Sequence, residues 1–371
     1  MKKERKIIES LLEDAGITIN GNHTYDLQIH NEDFYNRVLL QGSLGLGESY
    51  IDGWWDCKDL DQFFHKILEA DLDRRVKRNW NIVFGFIWNT ILNMGRKSKA
   101  FKIGEKHYDI GNDLYRAMLD NRLTYTCGYW KNAENLDAAQ EAKLDLVCKK
   151  ISLKRGQRIL DIGSGWGSFM GYAAEKYGAN AVGVTVSKKQ KELADELYKN
   201  LSVETRLQDY RDINEKFDHV ISLGMFEHVG YKNYRTFMKV VHNALKDNGL
   251  FLLHTIGGNR FIGGTDPWIG KYIFPNGMLP TLKQISKSIE GLFVMEDWHN
   301  FGADYDKTLM AWHKNFEDNW DKIKSNYDDK FYRMWKYYLL SCAGSFRARK
   351  NQLWQIVLSK NGIPGGYKSI R

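Results

Sequence analysis

Arg158-Ile159-Leu160-Asp161-Ile162-Gly163-Ser164-Gly165-Trp166-Gly167-Ser168-Phe169 is the stretch from which the fold is read. The apolar run predicts a strand over Arg158–Ile162 that ends beside an acid, Asp161. Gly163, Gly165 and Gly167 then alternate through a turn, and a helix runs from Gly167 to Tyr177 and stops at Gly178. Glycines at such a turn let the backbone bend sharply and approach a ligand where a side chain would collide. A dinucleotide-binding fingerprint places its last glycine three residues after the second, where this chain has Ser168.

The same alternation extends outward from this turn. Asn135 is placed to cap a helix ending near Lys150. Downstream, a strand at Ala181–Val186 leads into Ser187-Lys188-Lys189-Gln190, the spacing of a capping box. Strands follow at 203–207 and His219–Leu223, then a helix from Tyr234 to Leu245, then a turn at Asp247-Asn248-Gly249 into Leu250–Thr255. Strands alternating with helices predict a doubly wound parallel sheet in an α/β domain. Leu292–Trp298 and Thr308–Trp312 are read as a late antiparallel pair closing its edge, and Phe331–Phe346 as a helix.

Residues 1–78 read as a small, mostly helical domain, residues 79–105 as a linker, and residues 106–371 as the catalytic domain. The stretch from Asn79 to Gly95 has no charged residue and is rich in Trp and Phe, with basic residues on both sides. It is shorter than the roughly 20 apolar residues a bilayer crossing needs. It reads equally as a segment lying on a membrane surface or as a buried helix with solvated flanks. A net charge of +8 suits an anionic partner. The four cysteines are scattered without a CxxC pair, so no zinc site or disulfide framework is expected, and the basic N-terminus lacks a signal-peptide core. A cytoplasmic protein without a metal is the expectation.

The Gly163–Gly167 spacing after an acidic strand end is that of the nucleotide loop in S-adenosylmethionine methyltransferases, so this cofactor is expected, with Asp161, Gly163, Gly165 and Gly167 around it. The second strand ends without an acid, leaving Thr185, Ser187 and Gln190 to meet ribose or carboxylate. Simple helix capping is an equal reading for Ser187 and Gln190. Gln208 and Asp209 follow the third strand, where an adenine amino group would be recognised.

Five further segments point to a family: Lys106-His107-Tyr108-Asp109-Ile110-Gly111-Asn112-Asp113, Thr124-Tyr125-Thr126-Cys127-Gly128-Tyr129-Trp130, Gly224-Met225-Phe226-Glu227-His228-Val229-Gly230, His254-Thr255-Ile256-Gly257 and Asn300-Phe301-Gly302-Ala303-Asp304-Tyr305-Asp306. With these the chain resembles the cyclopropane-fatty-acyl-phospholipid synthases, within the cyclopropane and mycolic acid synthase family. The resemblance covers residues 106–371 and, on weaker motifs, residues 1–78, which it implies are the family's lipid- and membrane-binding domain. It implies a class I, Rossmann-like S-adenosylmethionine methyltransferase fold. The implied reaction adds a methylene across the cis double bond of a phospholipid acyl chain, through a carbocation deprotonated by bound bicarbonate. The implied bicarbonate cage is Cys127, Glu227, His254, Tyr305 and the backbone of Ile256. Tyr125, Thr126 and Gly224 are placed at the methionine end of the cofactor. Tyr129, Trp130, Phe169 and Tyr272 are candidates to face the cation, each such contact worth roughly 0.5–2 kcal/mol.

The resemblance further implies a homodimer, peripheral on the inner face of the cell membrane, with unsaturated phospholipid as partner. No RNA-binding module or Asn-Pro-Pro-Tyr motif points to nucleic acid. Cys342, beside leucines on a predicted helix, reads as core. Two rivals remain: a fatty-acyl methyltransferase that stops before ring closure, and a non-catalytic lipid-binding protein on the same fold.

Overall fold

The computed structural model describes residues 2–72 and 111–371. The expected linker, the Asn79–Gly95 stretch and the first five residues of the Lys106 motif lie outside them. Two compact units emerge among the described residues.

The short strands β1 (Gln28–Ile29) and β2 (Trp55–Asp56) form a two-stranded sheet in one unit. The other carries β3 (Arg158–Ile162), β4 (Asn180–Thr185), β5 (Val203–Leu207), β6 (Phe217–Leu223), β7 (Leu245–Gly258), β8 (Val294–Asn300) and β9 (Asn351–Ser359), in the sheet order β5-β4-β3-β6-β7-β9-β8. β3 pairs in parallel with both β4 and β6, and β8 pairs antiparallel with β9. Successive residues bury to opposite faces. Leu160, Val182, Val220, Phe251 and Ile356 pack under the helices Tyr234–Ala244 and Leu282–Ile289. Ile159, Ala181, Ile221, Leu252 and Val357 pack under Leu136–Lys150 and Ser168–Tyr177. With both faces covered, these strands are apolar without a polar alternation. The chain winds outward from β3 to β5 and returns at β6, so the carboxyl ends of β3 and β6 form a topological switch point.

Residues 246–249 bulge between Leu245 and Leu250, both paired to β6, so the expected turn lies inside β7. The expected edge pair needs correction: Thr308–Trp312 lies within a helix, Ala303–Ile323. Tyr305, Thr308, Leu309, Trp312 and Phe316 are buried there at helical spacing, and β9 takes the antiparallel place beside β8.

The unit with β1 and β2 combines the N-terminal helices with Ile262–Pro275 and Tyr305–Asn351. Two segments of the expected 106–371 domain thus group with the N-terminal helices. Tyr337 packs on Tyr50, Phe64 and Trp268, with ring centroids 5.5, 5.1 and 4.4 Å apart. Arg347 bridges Asp61 and Asp306 at 2.6 and 2.9 Å, and Lys350 bonds Asp71, so this basic run serves internal pairing. Cys342 sits half-buried on the helix Asp329–Arg347, and desolvation pushes its thiol up to about 12.

Candidate active site

The switch point opens into a cleft lined by Leu123–Thr126, Asp161–Trp166, Thr185, Gln190, Gln208–Arg211 and Gly224–Met225. Gly163 makes the turn possible: its φ is +82°, and an added Cβ would lie 2.6 Å from the Met225 side chain. Gly165 also lines the cleft, whereas Gly167 does not. Gly167 starts the following helix at φ +84°, where a Cβ would press on Tyr198 at 3.0 Å, so its role is backbone geometry and packing.

Thr185 and Gln190 face the cleft and bond each other, Oγ1 to Oε1 at 2.9 Å. Ser187 caps the helix by accepting from Gln190 N and does not line the cleft. Ser187 thus acts as a helix cap, and Gln190 turns its amide to Thr185 instead of closing the box. Asp209 is buried and held by Arg211, whose Nε and Nη2 donate to its two oxygens at 2.7 and 2.6 Å. Arg211 was not legible in the sequence as a cleft residue.

At the end of β3, Asp161 is buried with Oδ1 unpartnered, and burial pushes its carboxyl up to about 7 against the pull of Lys143. A dry carboxylate aimed into a cleft fits a cationic amino group. Lys143 is fully buried, and burial lowers it to about 8, opposed by Asp120, Cys127 and Asp161. Its Nζ donates to Thr126 Oγ1 at 2.7 Å. One helical turn before it, Gln140 donates to Thr126 O at 2.7 Å, and Asp120 accepts from Thr124 N at 2.7 Å. These three side chains hold the Thr124–Cys127 segment against the cleft. The signal for Lys143 was present: it falls on the buried stripe of Leu136, Ala139, Gln140, Leu144 and Val147.

Beyond the cleft, β6 and β7 end side by side, with Leu223 opposite His254. Glu227 stands on the short 3-10 turn Phe226–His228 and accepts from Ile256 N at 2.7 Å through Oε1, while buried Oε2 has no hydrogen-bond partner among the described residues. The Ile256 N–H thereby orients Glu227. Burial pushes the Glu227 carboxyl up to about 7. His254 meets Gln355 through Nδ1 at 3.3 Å, and its buried Nε2 has no hydrogen-bond partner among the described residues. Burial, aided by the charges of Lys143 and Lys150, holds the imidazole neutral, well below its usual range. Cys127 is buried, with Sγ against Gly128 O at 3.2 Å. Two orphaned buried polar atoms, Glu227 Oε2 and His254 Nε2, are what a small polyatomic anion would satisfy.

Tyr305 belongs to the other unit, where its buried ring lies 4.5 Å from Phe346 and 5.9 Å from Trp312. Of the aromatic candidates, Phe169 lines the cleft; Tyr129 packs on His299 and Phe301. Tyr272 bonds Glu48 at 3.0 Å in the other unit. Among the described residues no cluster of side chains forms a metal site.

Residues 95–356 match the family model described as mycolic acid cyclopropane synthetase. The chain belongs to this family. Within and around it, the chain is 51% identical over 366 residues to the cyclopropane-fatty-acyl-phospholipid synthase of Escherichia coli K12, covering 99% of this chain and 96% of that one. The cyclopropane synthase MmaA2 from Mycobacterium tuberculosis superposes with a TM-score of 0.67 at 29% identity, over 70% of this chain and 98% of MmaA2. The mycolic acid cyclopropane synthase CmaA1, solved with SAH and CTAB, gives 0.65 at 31% identity, over 70% and 98%. The Rossmann-like methyltransferase fold expected from the glycine turn is thus that of the cyclopropane synthetase family.

Proposed function

We propose that this chain is an S-adenosylmethionine-dependent cyclopropane-fatty-acyl-phospholipid synthase, acting on cis-unsaturated acyl chains of membrane phospholipid with bicarbonate as the proton acceptor. Family membership and the near full-length likeness to the Escherichia coli enzyme support the reaction. The observation that carries the mechanism is the pair of orphaned atoms, Glu227 Oε2 and His254 Nε2, buried at adjacent strand ends.

When bound, S-adenosylmethionine supplies an electrophilic methyl and bicarbonate a proton-accepting oxygen. Gly163 and Gly165 admit the cofactor close to the backbone, Asp161 faces its amino group, and Gln190, Gln208 and Asp209 line the nucleoside side. Tyr125, Thr126 and Gly224 line the same cleft toward Glu227. Glu227, neutral up to about pH 7 through burial, holds a proton at Oε2 for donation to the anion, while Ile256 N–H fixes the other oxygen. His254 contributes Nε2 in the tautomer that its contact with Gln355 selects. Cys127, which is buried, and Tyr305 are assigned to the anion by the resemblance. Burial of these groups keeps water from an alkyl cation, which water would otherwise trap.

Glu227→Gln is expected to bind S-adenosylmethionine as the parent does and to lose turnover by about a hundredfold or more, the usual scale for a positioned proton-transfer group. The assay is mass spectrometry of unsaturated phospholipid vesicles with and without bicarbonate, scoring gain of one CH2 with loss of the alkene. Undiminished turnover in the variant would remove Glu227 from proton handling. Gain of CH2 with the ring unclosed would favour the methyltransferase rival.

We further propose a homodimer at the cytoplasmic face of the membrane. Among the described residues no helix is long and apolar enough to cross a bilayer, which agrees with peripheral attachment.

A further inference from the structure

The catalytic unit has a surface whose composition differs from the rest of the chain. Segments 228–246, 256–261 and 276–289 contain Lys232, Arg235, Lys239, Lys246, Arg260, Lys283 and Lys287, and no Asp or Glu. The fold brings these segments together. Helices Tyr234–Ala244 and Leu282–Ile289 pack side by side, with Arg235 Nη1 donating to Ser288 O at 3.0 Å. Gly258 N donates to Pro280 O at 2.9 Å, which sets the Arg260–Phe261 turn beside the start of the second helix. Tyr231 meets Phe261 edge-on at 5.6 Å, and Lys232 Nζ lies 5.9 Å over the Tyr231 ring. Phe261 and Leu282 are each 53% exposed. Asp247 follows the first helix and Glu290 the second, where Arg235 Nη1 also donates to Glu290 O at 2.5 Å, so the charged side chains that these segments themselves carry are all basic.

This surface adjoins the chemistry. Tyr231 follows Glu227 by four residues, Arg260 follows Ile256 by four, and Met278 N donates to Glu227 O at 2.8 Å. Large apolar side chains standing in water within a ring of cations suit an anionic bilayer, whose phosphates meet the cations while the rings enter the acyl region. We infer that the face formed by Tyr231, Lys232, Arg260, Phe261, Leu282 and Lys283 is where the catalytic unit docks on an anionic phospholipid bilayer, placing acyl chains beside the Glu227 strand end. The inference rests on the proposed lipid substrate, and it assigns membrane contact to a surface other than the N-terminal helices.

The test compares the full chain with Lys232→Glu/Arg260→Glu/Lys283→Glu and with Phe261→Ser/Leu282→Ser. Each is mixed with vesicles of unsaturated phosphatidylglycerol or phosphatidylcholine and sedimented at several salt concentrations. Near an anionic surface each cation contributes about 1 kcal/mol, so charge reversal should cut partitioning onto phosphatidylglycerol on the order of a hundredfold. The serine pair should bind at low salt and detach at high salt. Both variants should keep the parent's rate on detergent-dispersed lipid, which certifies their folding. Partitioning equal to the parent's in both variants overturns the docking face. So does unchanged vesicle binding with loss of a dimer in sedimentation velocity, which would give the face to a second copy. If the parent itself modifies no dispersed lipid, the lipid-synthase reading fails, while sedimentation still decides the docking face.

Discussion

Glu227 and Lys143 show how burial sets the chemistry of single residues. Glu227 has an ordinary carboxyl value of 4.5 when unfolded and about 7 when folded. The native state therefore holds a proton that the unfolded chain has released across that window, and stability falls as pH rises from about 4.5 to about 7. In the ligand-free protein Glu227→Gln removes this slope, a difference of a few kcal/mol between the two chains at pH 8 relative to pH 4. Urea denaturation of both chains at several pH values measures it; parallel curves would contradict the burial argument. Lys143→Met is expected to lose about 1–3 kcal/mol, because Thr126 Oγ1 loses its buried donor and the Asp161 and Asp120 carboxyls lose a nearby cation. Cofactor affinity should fall along with it as Thr126 loses its donor, readable by calorimetry with S-adenosylmethionine.

At the scale of elements, the helix Asp329–Arg347 depends on a close approach to its neighbour Leu60–Glu69. A Cβ at Gly344 would lie 2.6 Å from both the Asp61 carbonyl oxygen and Phe64 Cβ. Gly344→Leu should therefore cost about 1–3 kcal/mol or more through overpacking, seen as a lower melting temperature. Gly344→Ala should fall between the parent and the leucine variant. The helix Ala303–Ile323 carries another lesson. Thr308–Trp312 is a short apolar run, which a five-residue window cannot assign to strand or helix; the wider spacing from Tyr305 to Phe316 marks one buried helical face.

For the whole molecule, the N-terminal helices share a core with Ile262–Pro275 and Tyr305–Asn351. Removing residues 1–78 would strip Tyr50 and Phe64 from Tyr337 and leave Arg347 without Asp61. Such a truncation should unfold at a lower temperature and expose apolar surface, detectable as dye binding, in addition to any loss on vesicles. Retention of the parent's melting temperature would refute the shared core. The turn at Gly163–Gly167, the strands β3 to β6 and the caps at Asn135 and Ser187 were determined by the sequence alone, since backbone sterics, apolar runs and short-range hydrogen bonds act within a few residues. Only the tertiary structure decided that Lys143 is dry, that Arg211 holds Asp209, that β9 pairs with β8 and that Gly167 and Ser187 turn away from the cleft. Those outcomes depend on desolvation and on partners far away along the chain, neither of which local spacing encodes.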